Sequence, residues 1–246
     1  GLVCAGHGQG WITREILTDN KDISALGLGH NIWTPAPGAE VTRAFGEANV
    51  RLDIAELAQG IELSGVELDY ILFDACFMAN VESIYDLRNN AKYIIGSPCE
   101  IMGAGFPYKN IMPLLLQNNG MSYDLDAVCR QFNEDYAASP GYSGTVALIN
   151  CAQLEGLAQA MKRVNNANKK EYRPNDIQAY EGQSSHIFFD LGDYVDKMCA
   201  DEDARKTFNE QLERTAISKY TLDTFLSMYG TMGQYDIEVF TGMNTS

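Results

Sequence analysis

This 246-residue chain has no apolar run near the roughly 18 residues that a membrane-spanning helix needs, and no excess of basic charge. Lys and Arg total 18 against 33 Asp and Glu, a formal net charge of −15. That balance argues against a nucleic-acid partner, because neutralising phosphates requires clustered Lys and Arg. An acidic surface keeps a protein hydrated and favours cationic substrates. The six cysteines (Cys4, Cys76, Cys99, Cys129, Cys151, Cys199) include no C-x-x-C pair, so neither a zinc ribbon nor a disulfide framework is expected. There is no G-x-x-x-x-G-K-[ST] loop. Gly6, Gly8 and Gly10 are a glycine cluster around a histidine, not a phosphate cradle. No D-x-D-x-D-G loop is present either, so no calcium site of that type is encoded. Only three histidines occur, which narrows the choice of an imidazole base.

Two segments stand out against these absences. Leu2-Val3-Cys4-Ala5-Gly6-His7-Gly8 and Tyr70-Ile71-Leu72-Phe73-Asp74-Ala75-Cys76 are short apolar runs that each stop at a reactive side chain. Buried parallel strands read this way, and their carboxyl ends form the edge of an α/β sheet where ligands bind. A Cys and a His that meet there make a nucleophile and its base. Cys76 is the expected nucleophile, with a strand end, a following helix and a nearby imidazole expected to lower its pKa. His7 is the expected general base; His30 lies in a Gly-rich loop and His186 opens an apolar run typical of a core position. Cys4 and His7 do not read as half of a metal site, because strand alternation puts them on opposite faces. Asp74, two residues before Cys76, shares its face on an extended strand.

The rest of the chain alternates strands and helices. Strands are expected at 2–6, 69–75, 92–97, 145–150 and 235–241, and helices at 53–63, 80–87, 107–117, 122–138 and 152–167, with one or two over 190–216. Residues 8–50 and 169–183 read as loops, and no internal repeat or low-complexity segment interrupts the pattern. The βαβ order predicts one parallel-type α/β domain over 1–246.

His7-Gly8-Gln9-Gly10-Trp11 and Phe73-Asp74-Ala75-Cys76-Phe77-Met78 with Glu82 resemble the clostripain-type cysteine peptidases, within the caspase, legumain and gingipain group. Gly96-Ser97-Pro98-Cys99-Glu100, Gly105-Phe106-Pro107-Tyr108, Phe189-Asp190-Leu191-Gly192-Asp193-Tyr194 and Val239-Phe240-Thr241-Gly242-Met243 extend the likeness in family order. The resemblance implies a caspase-like three-layer sandwich with a mostly parallel central sheet flanked by helices. It also implies further strands ahead of Gly1, so an N-terminal segment or processed chain would complete the sheet.

The implied function is an endopeptidase acting through Cys76 and His7, with Gly8 N–H and Cys76 N–H as the oxyanion hole. Asp74 would line the first substrate pocket and select Arg or Lys. Relatives often carry a second acid in the turn matching Gly103-Ala104-Gly105, where this chain has Ala104. That departure leaves Glu100, Asp190 or Asp193 as substitutes, or a weaker preference for basic residues, and Ser97 is a further pocket candidate. Self-processing is implied at Lys21, with Arg14 and Arg43 as lesser candidates, and the location implied is secreted, periplasmic or cell-surface. Peptides or proteins with exposed Arg or Lys are the expected partners, and no metal or cofactor is required, with calcium left open. The competing readings are a catalytically inactive caspase-like interaction module and a nucleotide-binding α/β module.

Overall fold

The computed structural model describes residues 1–12, 45–47, 50–116 and 122–246. Its strands are β1 (Leu2–Ala5), β2 (Phe45–Glu47), β3 (Val50–Leu52), β4 (Leu68–Asp74), β5 (Ala91–Gly96), β6 (Thr145–Asn150), β7 (Phe189–Asp190), β8 (Ala216–Thr221), β9 (Thr224–Ser227), β10 (Gly233–Asp236) and β11 (Asn244–Thr245). Its helices are α1 (Ile54–Ser64), α2 (Val81–Asp86), α3 (Tyr108–Leu115), α4 (Leu125–Ala137), α5 (Leu154–Asn166), α6 (Leu191–Met198) and α7 (Glu202–Thr215).

The central sheet has the order β1-β4-β5-β6-β8. β1, β4 and β5 pair in parallel, β6 pairs antiparallel with β5, and β8 antiparallel with β6. Four of the five strands therefore run the same way, which is the mostly parallel sheet expected. The apolar character of β4 follows from its cover on both faces. Tyr70 and Leu72 pack with Ile95, Val146 and Leu148 beneath α3 and α4. Ile71 and Phe73 point the other way, into a larger core with Ile94 and Ile149 beneath α1, α2 and α5 to α7. A third cluster, with Phe77, Cys99, Tyr180, Phe188, Phe225 and Tyr229, fills the carboxyl edge of the sheet and supports the loops there.

Two expectations are corrected. The run 235–241 is not a late strand, since β10 ends at Asp236 and pairs with β9. Side chains take the amides beyond it: Glu238 and Val239 N–H donate to Gln178 Oε1, and Thr241 N–H donates to Asp190 Oδ2. Strand β8 was not legible because Ala216-Ile217-Ser218-Lys219-Tyr220-Thr221 is mixed in polarity and follows α7 with no breaker between them. Within the stretch read as loop, β2 and β3 form an antiparallel pair.

The chain returns to the sheet edge near residue 244. Asn244 N–H donates to Ala79 O at 2.9 Å, Asn80 Nδ2 donates to Asn244 Oδ1 at 2.8 Å, and Asn244 Nδ2 donates to Pro98 O. Both asparagines are fully buried, so each bond satisfies a group that water cannot reach. Asn244→Ala is expected to lower the unfolding free energy by about 1–3 kcal/mol, because it strands a buried amide and a carbonyl. Urea unfolding followed by fluorescence reads the difference, and a midpoint unchanged from wild type would show that these bonds carry no stability.

Candidate active site

The parallel pairing of β1 and β4 sets the site. Ala5 lies opposite Asp74, and Gly6 N–H continues the ladder by donating to Asp74 O at 3.1 Å. His7 and Cys76 each stand two residues past that pair, beyond the carboxyl ends of neighbouring strands. Gly8 then packs directly on the segment that carries Cys76. A Cβ at Gly8 would stand 2.8 Å from Met78 Cγ and would collide with the Cys76 carbonyl oxygen, so only glycine permits this approach. His7 is exposed and Cys76 half-buried.

The chain after Cys76 is held in an unusual turn. Phe77 has φ +60°, a left-handed conformation that costs a non-glycine residue about 1 kcal/mol or more. Phe77 N–H donates to Cys99 O and Ala79 N–H to Ser97 O, each at 3.0 Å. The Phe77 ring stacks on Phe188 at 4.2 Å and meets Tyr229 edge-on at 5.0 Å. These contacts offset the backbone cost and fix the direction in which Cys76 projects.

The expected lowering of the Cys76 pKa is not found. Burial pushes the thiol well above its ordinary value and the nearby Glu100 charge pushes the same way, opposed by Ile101 N–H, which donates to Sγ at 3.4 Å. Helix α2 gives no help because it opens only at Val81, and its cap is Asn80, whose side chain accepts Ser83 N–H. Burial thus favours the neutral thiol of Cys76, which lies beside the Ile101 backbone.

Asp74 faces the α3 side of the sheet. Phe106 N–H at 3.2 Å and Tyr108 O–H at 2.8 Å both donate to its Oδ2. Gly105 crosses above it with φ +66°, where a Cβ would come within 2.6 Å of that oxygen. Tyr136 O–H donates to Gly105 O at 3.1 Å and braces the same turn. Ser97 is fully buried, with its hydroxyl 2.8 Å from Thr145 Oγ1 and accepting Cys99 N–H, so it braces the β5 loop from inside the core.

Glu100 is half-buried and accepts Met228 N–H. Asp190 is fully buried as the cap of α6, and accepts bonds from Tyr180 and Thr241. Asp193 accepts Gln178 N–H at 2.8 Å. Neither of these two reaches the Cys76 turn through any of these bonds. His186 pairs with the buried Glu181 at 3.1 Å, which raises its pKa, as expected of a structural imidazole. Lys21, Arg14, Arg43 and His30 lie outside the described residues.

Tyr108, Ile101 and Asn244 were missed by sequence reasoning as parts of the site. Tyr108 stood in the Gly105-Phe106-Pro107-Tyr108 landmark but carried no assigned role. Among the described residues, no group of three or more His, Cys, Asp and Glu side chains is placed to hold a metal ion, and no helix is long and apolar enough to cross a membrane.

The clostripain family model matches residues 33–241. The chain belongs to the clostripain family of cysteine peptidases. A crystal structure of a clostripain from Bacteroides thetaiotaomicron in complex with the peptide inhibitor BTN-VLTK-AOMK is 36% identical, with a TM-score of 0.75 over 81% of this chain and 87% of that one. A secreted C11 cysteine protease from the same species, "iotapain", is 34% identical, with a TM-score of 0.82 over 99% of this chain and 65% of that one. An inactive zymogen C11 protease from Parabacteroides distasonis is 25% identical, with a TM-score of 0.75 over 99% of this chain and 62% of that one. The chain thus spans just under two thirds of the length of the latter two. No curated protein matches the sequence. The fold seen here is the caspase-like α/β sandwich of these clostripain-family proteases.

Gly8→Ala is expected to reduce kcat/KM at least about 100-fold, because the Cβ displaces the Cys76 carbonyl and with it the thiol. Steady-state kinetics beside a melting curve tests this. A variant that melts like wild type and retains full activity would show that the close approach is dispensable.

Proposed function

We propose that this clostripain-family chain is an endopeptidase that cleaves after Lys or Arg through a Cys76–His7 dyad and an acyl-enzyme. The observation that carries the reading is the β1–β4 register, with Gly8 lying on the Cys76 backbone. His7 takes the thiol proton as Cys76 Sγ attacks the scissile carbonyl carbon. Proton transfer to the imidazole answers the raised thiol pKa, since thiolate then forms as an ion pair with imidazolium. The tetrahedral oxyanion accepts from Gly8 N–H and Cys76 N–H, and neither amide is spent on a backbone acceptor among the described residues. His7 returns its proton to the departing amine, then deprotonates the water that hydrolyses the thioester. This chemistry needs no cofactor; calcium as a structural ligand is tested by comparing activity in EDTA and in added calcium.

Asp74 is the proposed basic-residue determinant. Its Oδ2 already accepts two bonds from the protein, which leaves Oδ1 for the substrate cation. The inhibitor peptide on the Bacteroides thetaiotaomicron clostripain reads VLTK, with lysine last, in keeping with this assignment. β1 pairs with β4 alone among the described residues, and its other edge is assigned to a strand from an N-terminal segment or processed chain. Two relatives are described as secreted, which supports a secreted, periplasmic or cell-surface location.

Kinetics on a peptide library checks chemistry and specificity together. Cys76→Ala and His7→Ala are expected to abolish cleavage with the melting temperature held. Asp74→Ala is expected to lower kcat/KM on basic substrates by about 30- to 1000-fold, the effect of removing one partner of a desolvated charge pair. Preference for acidic or bulky apolar residues would refute the Asp74 assignment.

Self-processing belongs to the same reading, supported by the inactive zymogen among the relatives. Lys21 sits in the polar stretch Thr18-Asp19-Asn20-Lys21-Asp22, and cleavage after it matches the basic specificity. Wild-type protein is expected to yield a fragment beginning at Asp22, and Cys76→Ala protein to stay whole. Fully active, intact wild-type chain in N-terminal sequencing would remove Lys21 as the switch.

A further inference from the structure

Glu181 is a buried carboxylate that no step of this mechanism uses. Its Oε1 accepts Ile187 N–H at 2.8 Å and, more weakly, Phe188 N–H at 3.4 Å. Its Oε2 accepts Gln183 N–H at 2.8 Å and lies 3.1 Å from His186 Nδ1. An interior carboxylate is sustained only by donors of this kind. All of them come from the seven residues that follow it, so the chain from 181 to 188 closes around its own first side chain. Tyr180 N–H donates to Phe188 O at 2.9 Å and shuts this loop at its base, while Gly182 N–H donates to Ser227 Oγ at 3.1 Å and ties it to β9.

The loop touches both segments that carry the dyad. Ile187 O accepts Trp11 Nε1–H at 3.1 Å, which holds the segment that begins at His7. The fully buried Phe188 ring stacks on Phe77, directly after Cys76, at 4.2 Å with planes 7° apart. Gly10 lies against both rings' residues: at its φ of +56° a Cβ would stand 2.8 Å from Phe188 Cε1 and 3.1 Å from Phe77 O. The two segments thus meet on one ring. The β1–β4 pairing sets their register only as far as the Gly6–Asp74 bond, and His7 and Cys76 both stand beyond it.

We propose that Glu181 is a positioning residue for the dyad: through Ile187 O and the Phe188 ring, its carboxylate fixes how the His7 and Cys76 segments lie against each other past the end of the sheet. This rests on the reading of Cys76 and His7 as a dyad. Loosening the carboxylate misplaces both groups without touching either, and a shift of about 1 Å at reacting groups can lower the rate about 100-fold. Asp74 is held separately, by Phe106 N–H and Tyr108 O–H, so substrate binding is left as it was. The loss therefore falls on kcat and spares KM.

The test uses the full chain and two variants. Glu181→Gln removes the charge but retains the shape and one acceptor. His186→Ala removes a half-buried partner and leaves the backbone amides bonded, so it spares the fold. Kinetics on a lysine peptide are read beside the indole N–H signals of isotope-labelled protein, with Trp33→Phe telling Trp11 from Trp33. Glu181→Gln is expected to lower kcat about 10- to 100-fold and His186→Ala about 3-fold, each with KM within about 2-fold of wild type and the Trp11 signal shifted. In a Trp11→Phe background Glu181→Gln is expected to cost less than it does in wild type, because one of its two links is already cut. Wild-type kcat in the folded variants overturns the proposal; if Glu181→Gln does not fold, His186→Ala decides alone. A lowered kcat with the Trp11 signal unmoved also overturns it, and marks Glu181 as an anchor of stability only. If Cys76→Ala or His7→Ala protein still cleaves, the dyad reading falls and this proposal with it.

Discussion

The pairing of β1 with β4 is the constraint on which the rest of the site depends. Parallel strands in fixed register translate a position on one into a position on the other, so Ala5 opposite Asp74 carries His7 alongside Cys76. A slip of one residue would turn the side chains of β4 to the other face. Ile71 and Phe73 would then leave the larger core, and Tyr70 and Leu72 the smaller one. The two hydrophobic layers thereby protect the register of the proposed dyad, although no residue of either layer need touch substrate.

Electrostatically the resting site is poised against its own chemistry. Cys76, the proposed nucleophile, is half-buried, with the Ile101 backbone as its hydrogen-bond partner. A neutral thiol in that setting is a poor nucleophile toward solutes in general. In the proposed dyad the exposed imidazole of His7 changes this, and on the proposed basic specificity a substrate cation paired with Asp74 would offset part of the negative field at the thiol. On that proposal, substrate charge and thiol activation are coupled through the same few residues.

Much of this was legible in the chain. Apolar runs ending in His7 and Cys76 marked the strand ends, since a buried strand must be apolar and a catalytic group must leave it. Helices with strong periodicity, such as Leu154–Asn166, were readable for the same reason. The missed elements have physical explanations. β8 hides its period in mixed polarity, and the amides of 238–241 go to Gln178 and Asp190, which no local pattern reveals. Ser97 looked like a pocket residue because it ends a strand, yet Thr145, 48 residues away, draws its hydroxyl inward. Asp74 was placed on the face of Cys76 by alternation, but its partners Phe106 and Tyr108 depend on a turn that only the folded chain supplies.

The Asn80–Asn244 bond has a consequence for timing. The two residues are 164 positions apart, so a ribosome exposes the nucleophile turn long before it exposes the residue that latches it. Closure over such a separation is slow and late compared with local pairing. While the chain is being made, the left-handed turn at Phe77 lacks its anchor to Asn244 and its stacking partner Phe188. Cys76 therefore gains a fixed orientation only after residue 244 has emerged. A peptidase organised this way is restrained during its own translation by the order in which its parts emerge.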